Sequence, residues 1–190
     1  VFENAACFKG GIDNWSYYLP RLAVLTGCRL NELARLRVED INLQGAPYSS
    51  INDNTVDKAV KNESSVRKVL LPVDAVTPMT ALLTGKTKEQ RVFPEFLCNN
   101  ANGYAPKPSK YFSDLYRNKL GLNGASFHSF RHFATTHLFN SEVKEGLIGS
   151  LVGHSVGKMT TDKVYLSGFN DRLKLEVINH LGATYPALDE

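Results

Sequence analysis

Three short stretches of this sequence carry groups suited to holding and attacking an anion. The first is Thr26-Gly27-Cys28-Arg29-Leu30-Asn31-Glu32-Leu33, the second His128-Ser129-Phe130-Arg131, and the third Gly153-His154-Ser155, followed by Tyr165. Two arginines on separate helix starts can converge on one anionic group, because a guanidinium is always charged and its fork donates two N–H bonds to two oxygens. Histidines three residues before Arg131, and just past the next helix, would set titratable donors beside that group. A tyrosine further downstream is a nucleophile able to form a covalent phosphoester. Each residue also has an ordinary reading. Arg29 alone is a surface arginine at a helix start, His128 and His154 are core or capping histidines, and Tyr165 is one of eight tyrosines, most of which pack. Residue by residue, the constellation amounts to anion binding and no more.

The elements that must position these groups are mainly helical. Trp15 to Leu25 reads as a helix with Leu19, Leu22 and Ala23 on its apolar side, and with Pro20 early in it, where a missing N–H is tolerated. Gly27 interrupts, and Asn31 to Val38 reads as a second helix. From about Ala46 to Leu71, turn residues punctuate short β-type runs such as Ser64 to Leu71, and the economical reading is a small antiparallel sheet with a tight turn near Asn62. Val73 to Leu83 is a helix that Pro78 kinks or shortens, and Ser109 to Leu120 is another. Phe127, Phe130, Ala134 and Leu138 then form an apolar stripe, with His128, Arg131 and Thr135 beside it. Ser141 reads as the cap of a helix carrying Val143, Leu147, Ile148, Leu151 and Val152, which Gly153 stops. Leu173 to Leu181 gives a last helix, and Tyr185 to Glu190 a tail. The fold class expected is mainly α with one small antiparallel sheet.

Composition narrows the class without choosing it. The chain has 190 residues, 43% hydrophobic and 22% charged, with a net charge of +3, which fits one soluble domain able to bury a core. A mildly basic balance permits a nucleic-acid partner without requiring one. Cys7, Cys28 and Cys98 are odd in number and far apart, with no zinc-site spacing, and read as reduced thiols in a cytosolic protein. No apolar run approaches membrane-spanning length, and the first residues lack the pattern of a signal peptide. The chain begins at Val1 and soon enters a patterned segment, which reads as a fragment of a longer protein.

Taken in order, TGxRxxEL, HxxR, LVGHS and then a tyrosine resemble the signature of the tyrosine recombinases. Leu25 to Ile41 is similar to the first box of phage and genomic-island integrases, and Phe127 to His132 resembles their second. The likeness runs from about Tyr17 to Leu181. It implies that Arg29 and Arg131 clamp a scissile phosphate, that His128 and His154 bond it, that Tyr165 is the nucleophile, and that Glu32 orients an Arg or His. It also implies a catalytic lysine on the sheet turn. The run Lys61-Asn62-Glu63-Ser64-Ser65-Val66-Arg67-Lys68-Val69-Leu70-Leu71 is similar to the integrase pattern KTxSSxRxVPL, which selects Lys61 over Lys58 and Lys68. Two departures stand out. Leu70 replaces the usual Pro, with Pro72 following, and Tyr165 lies about two residues further past His154 than in many members.

The resemblance implies a cytoplasmic, nucleoid-associated enzyme, encoded by a prophage or mobile element of a bacterium, with double-stranded DNA as its partner. Tyr165 would attack a phosphodiester, forming a 3′-phosphotyrosyl link and freeing a 5′-hydroxyl that Lys61 protonates, with no metal and no cofactor. It further implies a homo-tetramer on two duplexes with exchanged C-terminal segments, accessory DNA-bending proteins, and N-terminal DNA-binding regions lying outside residues 1–190. The alternatives are a type IB topoisomerase-like enzyme and a non-catalytic DNA-binding accessory module. The first box and the Ser64-Ser65-Val66-Arg67 strand favour the recombinase over the topoisomerase, and the presence of all six site residues argues against the accessory module.

Overall fold

Asn14 opens the first helix by accepting the backbone N–H of Ser16 on its side-chain oxygen at 3.0 Å, as a residue before a helix start commonly does. The computed structural model describes residues 14–54, 66–99, 103–153 and 169–183. Helix α1, Trp15–Thr26, is buried along most of its length and ends at Gly27, whose N–H still bonds Ala23 O at 2.9 Å and whose φ of 63° turns the following chain out of the helix. Pro20 lies deeper in α1 than its first turn, so the helix forgoes one internal bond; the buried Leu19, Leu22 and Ala23 around it hold the helix regardless.

Helix α2, Leu30–Ala34, stops four residues short of the expected Val38. The reason is competition for the backbone. The carboxylate of Asp40 takes the Arg37 N–H at 2.8 Å, Gln90 O takes the Val38 N–H, and Leu36 O accepts from Val92 N–H. The chain therefore leaves the helix to pair with residues 90–92, makes a 3₁₀ turn at Val38–Asp40, and enters the sheet.

Strands β1 (Ile41–Asn42), β2 (Tyr48–Ile51) and β3 (Arg67–Leu70) lie antiparallel in that order, with Ser49 opposite Val69 and Ile51 opposite Arg67. β1 precedes the expected start at Ala46, since two residues are too few to show a period. The sheet is wedged between two apolar clusters. Ile51 and Val69 join the one built on α1, while Leu70 and Tyr48, on the other face, meet the cluster of Ala134, Leu138, Leu147, Leu151 and Ile178. The expected turn at Asn62 falls outside the described residues.

Helix α3, Val73–Leu83, has the expected bounds, and Pro78 inside it does not shorten it. Helix α4, Pro106–Asp114, begins earlier than expected because a proline suits a first turn, and it passes into a π turn at Leu115–Lys119. Helix α5, His128–Asn140, buries Phe130, Ala134 and Leu138, with Phe127 just ahead of it. Ser141 closes this helix instead of opening the next one: its N–H and its hydroxyl both donate to His137 O, at 3.0 and 2.9 Å. Helix α6, Glu145–Val152, accordingly starts later and ends at Gly153, with φ 70°. Helix α7, Asp171–Ala183, lies against α3, where Asn179 accepts the Val73 N–H and a side chain at Gly182 would collide with Asp74. Among the described residues, no helix is long and apolar enough to cross a membrane.

Candidate active site

Four chain ends meet beside the first motif: the end of α1, the start of α2, the end of α6 and the start of β3. Glu32, in the first turn of α2, sits at their centre. One of its oxygens accepts the Arg29 backbone N–H at 2.8 Å, and the other accepts Arg29 Nη1 at 2.6 Å. Both also receive the guanidinium of Arg67, Nη1 on Oε1 and Nη2 on Oε2, each at 3.1 Å. An acid in a first helical turn is favoured by the helix dipole as well. Burial works to raise the Glu32 carboxyl, but the charge and bonds of Arg67, aided by Arg29, outweigh it and hold the group at about 2, against an ordinary 4.5.

The two arginines of the phosphate-holding pattern come to this centre from different helices. Arg29 donates from Nη2 to Gly153 O at 3.1 Å, and its side chain stays 24% exposed. Arg131, one turn into α5, is only 1% exposed and donates from Nη1 to Gly27 O at 2.8 Å. Its Nε and Nη2 are buried and have no partner among the described residues. Burial, and then the charge of Arg29, lower its pKa to about 10. A guanidinium that is still a cation at neutral pH, desolvated and with two donor nitrogens unbonded among the described residues, is stabilised by any anion that reaches it.

His128 opens α5 one turn ahead of Arg131, exposed, with its ring edge-on to His132 at a centroid distance of 4.7 Å. Cys28 lies buried between the arginines, its sulfur 3.9 Å from Arg67 Nη2. Burial pushes that thiol up, only partly opposed by Arg67, so it stays neutral and does not compete as an anion. Arg29, Glu32 and Arg131 are thus brought together, with His128 on the helix that carries Arg131. Lys61 and its rival Lys58, His154, Tyr165 and Tyr185 lie outside the described residues. The other rival, Lys68, stands on the face of β3 opposite Arg67, exposed, with its ammonium 4.6 Å from the centre of the Tyr48 ring. Among the described residues, no three His, Cys, Asp or Glu are grouped to hold a metal.

Arg67 is the buried partner of Glu32 that motif spacing does not single out. A signal for it was present, since Arg67 alternates in phase with the buried Val69 and out of phase with the exposed Lys68. A charge at the inward parity of a strand requires a buried partner.

The profile of the phage integrase family matches residues 4–170 of the chain. Tyrosine recombinase XerA of Pyrococcus furiosus is 26% identical over 150 residues, covering 76% of this chain and 49% of that protein. Among solved structures, the integrase of mycobacterium phage Brujita superposes with a TM-score of 0.58 at 16% identity, over 91% of this chain and 53% of the other. The Tn1549 transposon integrase, in complex with a circular intermediate DNA, does so with a TM-score of 0.56 at 17% identity, over 91% and 57%. The chain spans about half the length of each of these relatives. Their common fold is mostly helical around a small antiparallel sheet.

Proposed function

The chain belongs to the phage integrase family, and on that premise we propose that residues 1–190 are the catalytic domain of a site-specific tyrosine recombinase acting on duplex DNA. Tyr165 attacks a backbone phosphorus, forming a 3′-phosphotyrosyl ester as the bond to the 5′-oxygen breaks. Lys61 gives that oxygen its proton. The 5′-hydroxyl of a partner strand then attacks the ester and returns the phenol, so one phosphoester replaces another. As charge grows on the two non-bridging oxygens, Arg29 and Arg131 meet it with fixed N–H donors, and His128 and His154 add theirs. The protein acts as a homo-tetramer on two duplexes, with C-terminal segments exchanged between protomers.

The observation that carries this reading is Arg131 in place beside Arg29, buried, charged, and with two N–H-bearing atoms unpaired among the described residues. A related fold held on DNA supports the choice of DNA as the anion. The test uses a pool of nicked duplexes of randomised sequence, which trap a covalent adduct because the cleaved end diffuses away. The chain is expected to yield a protein–DNA adduct on a denaturing gel. Tyr165→Phe is expected to yield none while folding and binding DNA as before. An adduct that survives Tyr165→Phe but is lost in Tyr185→Phe would move the nucleophile to the tail.

A further inference from the structure

We propose that Arg67 is a positioning residue of this site: through Glu32 it fixes where the Arg29 guanidinium stands, and through the last turn of α6 it ties that guanidinium to the end of that helix at Gly153. The geometry stands by itself, while its catalytic consequence rests on the recombinase reading.

Three contacts converge on one buried side chain. Arg67 grips both oxygens of Glu32 in a two-pronged pair, with about 8% of either side chain exposed. Its Nε donates to Leu151 O at 3.2 Å. Its guanidinium also lies so close under Gly153 that a carbon added there would stand 2.7 Å from Nη1 and 2.8 Å from Cζ. Leu151 O and Gly153 O are carbonyls at the open end of α6. Arg67 fills the first and Arg29 the second, which also sets two cations at the negative end of that helix. Arg29 is therefore held at two points, Glu32 and Gly153, and Arg67 sits behind both.

A two-pronged grip fixes direction as well as distance. Without it, Glu32 keeps Arg29 as a partner but can turn, and Arg29 turns with it. The charged and titratable groups facing Glu32 among the described residues are Cys28 and Arg29 ahead of it, Arg35 just past α2, Arg67 from β3 and Arg131 from α5. Of these, only Arg29 and Arg67 bond it in the contacts described above, so loss of Arg67 leaves a buried carboxyl that gains a proton more readily as pH falls.

The test compares the 190-residue chain with Arg67→Gln, Arg67→Lys and the double variant Arg67→Gln/Glu32→Gln. Adduct formation with the nicked pool is followed between pH 5.5 and 8, with folded fraction and DNA affinity measured in parallel. Arg67→Gln is expected to slow cleavage on the order of a hundredfold, the cost of a misplacement of about 1 Å, with unchanged DNA affinity and a loss that deepens toward low pH. Arg67→Lys restores the charge without the fork; it is expected to recover part of the rate and a flat pH profile. The double variant is expected to stay slow but lose the pH dependence. Wild-type cleavage by folded Arg67→Gln, or a loss that merely tracks the unfolded fraction, overturns the inference. If the wild type forms no adduct, the recombinase reading falls, and the ¹³C carboxyl resonance of Glu32 then decides: an identical titration in wild type and Arg67→Gln overturns the inference, and an upward shift in the variant supports it.

Discussion

On the α2 side of the site, both oxygens of Glu32 are taken, and Arg29 and Arg67 each divide their bonds between it and the end of α6. On the α5 side, a few residues away in space, Arg131 makes one bond to Gly27 O and keeps Nε and Nη2 buried without partners among the described residues. The first arrangement satisfies its carboxylate without a ligand and leaves Arg29 fixed and part exposed. The second is not, and its unmet donors cost stability that an incoming phosphate would return. The difference separates two tasks that a bare list of arginines would merge: one side holds a donor still, and the other holds a donor in reserve.

The largest expected effect breaks the α5 side. Arg131→Met keeps the bulk but removes the cation. Cleavage is expected to fall by roughly a thousandfold, the upper range for losing one transition-state donor, while the melting temperature stays at or above wild type. A melting temperature that drops as for a core deletion would show Arg131 to be structural, and the contrast would collapse.

The next effect sharpens the α2 side through acid. The Glu32 carboxyl is held at about 2 in the folded chain against an ordinary 4.5, so its contribution is full above the unfolded value and is lost as pH falls toward the folded one. That contribution is about 3 kcal/mol, and urea unfolding at pH 7, 4 and 3 is expected to show it disappearing within that window for wild type but not for Glu32→Gln. Equal acid sensitivity in the two proteins would remove Glu32 from the account.

The smallest effect asks whether the reserve donors can be satisfied without DNA. Sulfate is expected to raise the melting temperature by a few degrees over sodium chloride of equal ionic strength, as binding to the folded state alone requires. Arg131→Met is expected to lose that difference. The same gain in both proteins would assign it to general salt effects.

Much of this arrangement was legible in order and period. The stripe Phe127, Phe130, Ala134 and Leu138 placed α5 and, with it, the side on which Arg131 stands. Gly27 and Gly153 marked helix ends because only a residue without a side chain turns left-handed there at low cost. Competing partners distant in sequence were not legible. Val38 leaves its expected helix for Gln90, and Arg67 finds Glu32 across 35 residues of chain. Ser141 departs from its expected role for a local reason, since a serine between two helices can serve either one, and here His137 O lies within reach.

Gly27 and Gly153 each end a helix, and they hand their carbonyls to Arg131 and Arg29 respectively. A carbon added at Gly27 would meet Val152 at 2.8 Å, and one added at Gly153 would meet Arg67. Transplanting this site into another scaffold would therefore fail if only its side chains were copied. The portable unit is a pair of helix ends pressed together, with the arginines borrowing main-chain oxygens that any host would first have to bring to the same place.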